Sequence, residues 1–260
     1  MRRGGHPREP GAGRRALPVL AAAVAAAVGL AVMFGMATHD AAGSDAVVGA
    51  ATTVGVAAHP LRIMALGNSS TVGVGSPGTA GFRGPLESLL ARDGIAFVMV
   101  GSQQTGPSSV PDRHHEGHPG WTLVQMQPVV AGWMKAQRPD VVLLQVATND
   151  LNSGVSARVT AARLDRLLDT IHGVSNTAVI VAGVWAPLHD HPQARAEYQR
   201  LAAAVVARHA RRGEPMTFVD TSTLLGPGDL FDGLHPNRNG YRKIAAVWDR
   251  EIRSFVADRH

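Results

Sequence analysis

Ile63-Met64-Ala65-Leu66 continues directly into Gly67-Asn68-Ser69-Ser70-Thr71-Val72-Gly73. An apolar run that stops at a glycine and turns into small polar residues is typical of a strand that ends at the carboxyl edge of an α/β sheet. Open α/β folds bind their ligands at that edge. The stretch therefore predicts a strand followed by a turn, and the turn presents the Ser69 hydroxyl and free backbone N–H groups to a binding site.

The rest of the chain extends this pattern, because five apolar, β-branched-rich runs alternate with segments that have apolar residues at helical spacing. The predicted strands are residues 62–66, 96–100, 140–146, 178–184 and 216–219. The predicted helices are residues 85–92, 122–136, 156–171, 194–211 and 241–256. The run 141–144 is apolar throughout, as in a parallel strand buried on both faces. The alternation predicts one flavodoxin-like, three-layer α/β/α domain with a mostly parallel, five-stranded sheet.

The amino-terminal part of the chain does not fit a globular domain. Residues 1–15 carry five arginines, residues 16–37 carry no charge, and residues 38–60 are mostly Ala, Gly, Val, Ser and Thr. An apolar run of this length is near the roughly 20 residues that a membrane-spanning helix needs. We expect a basic cytoplasmic tail, then a signal peptide or signal anchor at 16–37, a flexible linker at 38–60 and a domain at 61–260. The domain is then exported, and it is either anchored at the cell surface or released by cleavage.

Charge and cysteine content exclude several classes of function. The net charge of +5 comes partly from the tail, and residues 61–260 carry 20 basic and 17 acidic side chains. That balance does not favour a nucleic-acid-binding surface. The chain has no cysteine, which excludes disulfides, a thiolate metal site and a cysteine nucleophile.

A carboxylate and an imidazole lie three residues apart far downstream of the serine, in Asp232-Gly233-Leu234-His235. Acyl transfer to a hydroxyl needs a base for the serine proton and a group that orients the base. In this chain Ser69 would attack, His235 would accept and return the proton, and Asp232 would hold the imidazole. The three residues therefore predict a catalytic triad.

Four ordered stretches resemble the motif blocks of the GDSL or SGNH hydrolases, and the resemblance runs from about residue 61 to residue 246. The stretches are Gly67-Asn68-Ser69, Val100-Gly101-Ser102, Ala147-Thr148-Asn149-Asp150 and Asp232-Gly233-Leu234-His235. The resemblance implies that Ser69 is the nucleophile. It also implies an oxyanion hole formed by the backbone of Ser69, the Gly101 N–H and the Asn149 side-chain amide.

Two further stretches, residues 81–86 and 115–122, are similar to the branch of that family that contains secreted acetylxylan-type carbohydrate esterases. This similarity implies a serine esterase that hydrolyses short acyl esters, acetyl above all, on carbohydrate, without a cofactor or a metal. The expected partner is a small-molecule or polysaccharide ester, and the expected substrate contacts are Arg83, His118 and Trp121. Trp121 could offer its ring to a sugar, or it could be a half-buried residue of an ordinary loop.

The chain departs from the family pattern at two positions. Asn68 stands where the family usually has Asp, and Ala147 stands where it usually has Gly. Loss of a charge beside the nucleophile could weaken activity, whereas the methyl group of Ala147 is acceptable if the backbone angles there are ordinary.

Other readings of the sequence stay open. A catalytically impaired surface-binding module, a lipase-like or lysophospholipase-like esterase, and an electron carrier with a phosphate cradle at residues 68–71 are alternatives. His114, His115 and His118, or His189 and His191, could suggest a metal site, but they lack the pattern of carboxylates and histidines on a helix that would support one.

Overall fold

The computed structural model describes residues 59–185 and 192–259. The predicted tail, the apolar span and all but the last two residues of the predicted linker lie outside the described residues, as do residues 186–191. Over the part of the chain that is described, we find no helix that combines the length and the apolar character needed to span a membrane. The described residues belong to one compact unit.

Strands and helices alternate along the chain. The strands are β1 (Leu61–Gly67), β2 (Phe97–Val100), β3 (Gln103–Gln104), β4 (His114–Gly117), β5 (Val141–Gln145), β6 (Ala178–Ala182) and β7 (Met216–Val219). The α-helices are α1 (Ser69–Val72), α2 (Arg83–Arg92), α3 (Leu123–Met126), α4 (Val130–Gln137), α5 (Thr148–Asn152), α6 (Ala157–Val174), α7 (Pro192–Arg211) and α8 (Arg238–Ala257).

The main sheet is parallel, in the order β2-β1-β5-β6-β7. This is the doubly wound, flavodoxin-like order, so the predicted α/β fold is confirmed. The described part of the sheet has seven strands rather than five. β4 runs parallel to the last residues of β1, beyond the point where β2 stops, and β3 pairs antiparallel with β4. β4 has a polar sequence, so a search for apolar runs does not predict it.

Helices cover both faces of the sheet, and this produces two hydrophobic layers. Val142 and Leu144 on one face of β5 pack in a cluster with residues of α6 and α7. Val141 and Leu143 on the other face belong to a second cluster with residues of α2 and α8. All four β5 side chains are buried, as the continuous apolar run predicts.

One predicted helix, at residues 122–136, is two helices in the structure. α3 and α4 are separated at Pro128, because proline has no N–H to donate and its ring clashes with the preceding turn of a helix. At the start of α3, Gln125 Oε1 accepts from the Thr122 backbone N–H at 2.9 Å and from the Thr122 hydroxyl at 3.0 Å, which fixes the end of the loop that carries Trp121.

Candidate active site

The site lies at the carboxyl edge of the sheet. β1 ends at Gly67 and Ser69 begins α1, β2 ends just before Gly101, and β5 is followed by α5, which contains Asn149. Because these strands are parallel and adjacent, their ends meet at one edge. The segment between β7 and α8 reaches the same edge, where an isolated bridge between Leu230 and Pro236 closes a tight loop.

That loop brings the Asp232 carboxylate and the His235 imidazole to the Ser69 hydroxyl, and the three groups form a hydrogen-bonded chain. His235 Nδ1 lies 2.7 Å from Asp232 Oδ2, and His235 Nε2 lies 2.9 Å from Ser69 Oγ. A carboxylate can only accept, so Nδ1–H donates to Asp232 and the lone pair of Nε2 accepts from the Ser69 hydroxyl. This tautomer is the one that allows an imidazole to take a proton from a serine.

The Asp232 carboxylate is further held by its own loop. Its Oδ1 accepts hydrogen bonds from the backbone N–H of Leu234 at 3.1 Å and of His235 at 2.7 Å. Partial burial by itself would raise the pKa of Asp232. The hydrogen bonds from the backbone and side chain of His235 and from Leu234 outweigh burial and lower the pKa to about 2. Asp232 is therefore ionised at neutral pH.

Three hydrogen-bond donors remain available near the serine. Within the described residues, neither the Ser69 N–H nor the Gly101 N–H has a hydrogen-bond acceptor. The Asn149 side-chain amide donates one hydrogen to the carbonyl of Trp121 at 2.8 Å. A primary amide has two N–H donors, so the second stays free for another acceptor.

Glycine is required at position 101 by close packing. A Cβ atom there would lie 2.2 Å from the carbonyl carbon and oxygen of His115, and φ is +154°. No side chain fits in that space, so the end of β2 can lie directly against β4.

Both departures from the family pattern can now be located. Asn68 is buried and caps α1, with its Oδ1 accepting from the Ser70 N–H at 3.4 Å, so the capping oxygen that aspartate would supply is retained. Ala147 has φ +80° and ψ −23°, in the left-handed region. The condition of ordinary backbone angles is therefore not met at Ala147, and its methyl group is accommodated at the cost of strain.

Arg83 does not reach the site, although the family resemblance implies that it contacts substrate. Its side chain is fully buried and donates to the carbonyls of Thr71, Val72, Thr105 and Arg113 at 2.8–3.1 Å. These carbonyls belong to α1 and to the two ends of the loop between β3 and β4. Arg83 therefore ties the nucleophile turn to its neighbours and does not contact substrate, which corrects the sequence-based expectation.

His118 and Trp121 do lie beside Asn149, in an aromatic stack. The His118 ring is stacked on Trp121 with centroids 4.3 Å apart and on Trp133 with centroids 4.7 Å apart. Its Nε2–H donates to Glu116 Oε1 at 2.7 Å. The His118 side chain is only 14% exposed and is engaged by Glu116 and by both tryptophans.

Sequence reasoning missed Glu116 and Phe231. Glu116 is fully buried on β4 and bonds to both Ser102 and His118. Phe231, the residue before Asp232, is 68% exposed. The only sequence signal is position, since Glu116 lies inside the stretch 115–122 and Phe231 directly precedes the stretch that begins at Asp232.

The histidines considered for a metal site have other partners. His115 is buried, accepts the Gly117 N–H at Nδ1 and donates to Thr105 from Nε2, and burial lowers its pKa to about 3. His114 pairs with Asp112. No group of three potential ligands surrounds a metal position in residues 59–185 or 192–259. His189 and His191 lie outside the described residues.

Comparison with known proteins agrees with this geometry. The model of the GDSL-like Lipase/Acylhydrolase family matches residues 65–243, a range that contains Ser69, Gly101, Asn149, Asp232 and His235. A multidomain esterase from Ruminococcus flavefaciens is 27% identical over 235 residues, which cover 77% of this chain and 29% of that protein. A protein from Acetivibrio thermocellus is 29% identical over 130 residues, 49% of this chain and 56% of its own length. The chain thus spans less than two thirds of the length of each of these relatives.

Solved structures are similar over most of their length. A family 3 carbohydrate esterase from Clostridium thermocellum is 34% identical, with a TM-score of 0.67, and the match covers 74% of this chain and 94% of that one. A carbohydrate esterase family 3 protein from Talaromyces cellulolyticus is 22% identical, with a TM-score of 0.63, and the match covers 76% and 99% of the two chains; it supports the fold alone. On the family match, the shared fold and the ordered motif residues, this chain belongs to the GDSL-like lipase/acylhydrolase family.

Proposed function

We propose that the chain is a serine esterase that removes short acyl groups, acetyl above all, from carbohydrate esters through an acyl-enzyme. The observation that carries the proposal is the hydrogen-bonded line from Asp232 through His235 to Ser69 Oγ. A serine alone is a weak nucleophile, and an adjacent base with its own orienting group makes it reactive.

In the first half-reaction Ser69 Oγ attacks the ester carbonyl while His235 Nε2 accepts its proton. The carbonyl oxygen becomes an oxyanion, which the N–H groups of Ser69 and Gly101 and the free amide hydrogen of Asn149 stabilise. Asp232 stabilises the imidazolium that forms. When the tetrahedral intermediate collapses, His235 returns the proton to the leaving alcohol, and the acyl group stays on Ser69.

In the second half-reaction water takes the place of the alcohol. His235 removes a proton from water as the water attacks the acyl-Ser69 ester, and the same donors stabilise the second oxyanion. Collapse releases the carboxylic acid and returns the proton to Ser69.

Two observations support a carbohydrate ester. The 34% identical structural relative is a carbohydrate esterase. The site also has aromatic residues on two sides, since Trp121 lies next to Asn149 and the exposed Phe231 lies next to Asp232. Flat apolar rings are suited to the faces of sugar rings. We assign Trp121 and Phe231 as the sugar contacts.

We also infer that the domain acts outside the cytoplasm, either at the cell surface or after release. The support is the sequence of residues 1–37, with its arginines followed by a long uncharged apolar run.

Substrate preference can be measured with purified protein. p-Nitrophenyl acetate, butyrate and octanoate report the acyl preference, and acetate release from acetylated xylo-oligosaccharides reports the alcohol. We expect kcat/KM to be at least about tenfold higher for acetate than for octanoate, with the Ser69→Ala variant inactive on all substrates. A preference for octanoate would indicate a lipase-like enzyme, and sugar binding without hydrolysis would indicate the non-catalytic module.

A further inference from the structure

One buried carboxylate near the site has no part in the mechanism above. Glu116 lies on β4 with no solvent exposure, and the proton transfers between Ser69, His235 and Asp232 do not involve it. Buried carboxylates are costly unless they are fully hydrogen-bonded. Its partners therefore indicate what the residue holds in place.

On one side, Glu116 fixes the residue after Gly101. Glu116 Oε2 accepts the Ser102 backbone N–H at 2.7 Å, and Oε1 accepts the Ser102 hydroxyl at 2.7 Å. The Ser102 N–H belongs to the peptide unit that leaves Gly101. Glycine restrains its own backbone less than any other residue, so the direction of the Gly101 N–H depends on what its neighbours fix.

On the other side, Glu116 holds the aromatic stack. Its Oε1 also accepts from His118 Nε2, and the His118 ring stacks on Trp121 and on Trp133. The carbonyl of Trp121 in turn accepts one hydrogen of the Asn149 amide, which directs the second. The Gly101 N–H and the Asn149 amide, which follow different strands, are therefore linked through the Glu116 carboxylate.

We propose that Glu116 is a positioning residue for the oxyanion hole, orienting the Gly101 N–H through Ser102 and the Asn149 amide through His118 and Trp121. The proposal rests on the proposed esterase function. Hydrogen bonds to a charged acceptor are stronger than those to a neutral one, so a carboxylate holds these groups more rigidly than an amide can.

The test compares Glu116→Gln with Glu87→Gln. Glutamine keeps one acceptor oxygen but replaces the other with a donor, so it cannot accept all three hydrogen bonds, from the Ser102 N–H, the Ser102 hydroxyl and His118 Nε2. Glu87 is also a buried glutamate, but it lies on α2 and bonds to the Asp112 N–H. We expect Glu116→Gln to lower kcat for p-nitrophenyl acetate about 10- to 100-fold with KM within about threefold, and Glu87→Gln to leave kcat within about twofold.

A second readout separates positioning from general loosening of the fold. The phosphoryl oxygen of a fluorophosphonate occupies the oxyanion hole as the probe reacts with the serine. The second-order rate of labelling by the probe should fall in Glu116→Gln by about the same factor as kcat/KM. The thermal midpoints of Glu116→Gln and Glu87→Gln are compared by circular dichroism. If Glu116→Gln does not fold, Ser102→Ala removes the hydroxyl that donates to Glu116 and accepts from the Gln103 side chain, and it should lower kcat about three- to tenfold.

The outcomes are distinct. A folded Glu116→Gln with wild-type kcat and labelling rate overturns the role of Glu116, as does a Ser102→Ala variant with unchanged kcat when Glu116→Gln is unfolded. An equal loss of kcat in Glu87→Gln overturns it too. Wild-type protein that neither hydrolyses the ester nor reacts with the probe contradicts the proposed function itself.

Discussion

The Asp232 carboxylate is the group that selects the tautomer of His235. Its Oδ2 accepts from His235 Nδ1, which leaves the lone pair of Nε2 facing Ser69. Because the pKa of Asp232 is lowered to about 2, the carboxylate remains charged well into the acidic range. Protonation of Asp232 therefore does not limit activity under mildly acidic conditions, and any loss there must arise at another group.

Asp232→Asn should test this role. Asparagine can keep an oxygen for the Leu234 and His235 N–H groups, but its NH₂ would face Nδ1 and drive the proton onto Nε2. We expect kcat for p-nitrophenyl acetate to fall about 10²- to 10⁴-fold with the circular dichroism spectrum unchanged. A loss smaller than about tenfold would mean that Asp232 does not set the tautomer.

Arg83 offers a contrasting case, because its four carbonyl partners give it a structural role. Arg83→Lys keeps the charge, but a single ammonium group cannot reach all four carbonyls. We expect the free energy of unfolding in urea to fall by about 3 kcal/mol and KM of the folded variant to stay unchanged. Unchanged stability with a raised KM would restore Arg83 as a substrate contact.

The turn from β5 into α5 carries strain at Ala147. Ala147→Gly would relieve a left-handed alanine but would lose a buried methyl group and add entropy to the unfolded chain, so we expect a net change below about 1 kcal/mol. Ala147→Val adds a branched side chain in the same backbone conformation and should cost more than about 2 kcal/mol. Urea unfolding of both variants measures the difference, and equal stabilities would argue against a left-handed residue here.

The strands and helices differ in how well the sequence pattern predicts them. All five predicted strands and the long helices exist, because buried parallel strands and amphipathic helices leave apolar patterns that can be read directly. β4 was missed because residues 114–117 are His, His, Glu and Gly. Its pairing with β1 is a long-range contact that local periodicity does not encode. The predicted helix at 122–136 is two helices, because Pro128 interrupts the helical hydrogen bonds.

Some residues of the site can be predicted from the sequence and others cannot. Ser69, Asp232 and His235 could be assigned from spacing and chemistry, and the structure brings them within hydrogen-bonding distance. The place of Arg83 could not be assigned, because whether an arginine faces solvent or backbone carbonyls depends on packing between distant loops. Glu116 could not be assigned either, since its partners Ser102 and His118 meet it only when β4 joins the sheet.

The stability of the whole domain should depend on pH through Glu87. Burial raises its pKa to about 7 from an ordinary value of 4.5. Between those values the folded protein keeps a proton that the unfolded chain releases, so the free energy of unfolding falls as pH rises through that window. This contribution is fully present below the unfolded pKa and is lost as pH rises towards the folded one.

Glu87→Gln isolates that contribution, because glutamine does not titrate. In urea unfolding experiments, the free energy of unfolding of the variant minus that of wild type should rise by about 2 kcal/mol as pH is raised from about 4.5 to about 8. A stability difference that is the same at both pH values would show that Glu87 ionises normally in the folded protein.

The central claim is that Ser69 is the nucleophile of a Ser-His-Asp hydrolase. The most direct measurement is the intact mass of the protein after reaction with a fluorophosphonate, followed by peptide mapping of the adduct. We predict one adduct per chain, on Ser69, and none on Ser69→Ala under the same conditions. An adduct that persists in Ser69→Ala, or a folded wild-type protein that acquires none, would contradict the account.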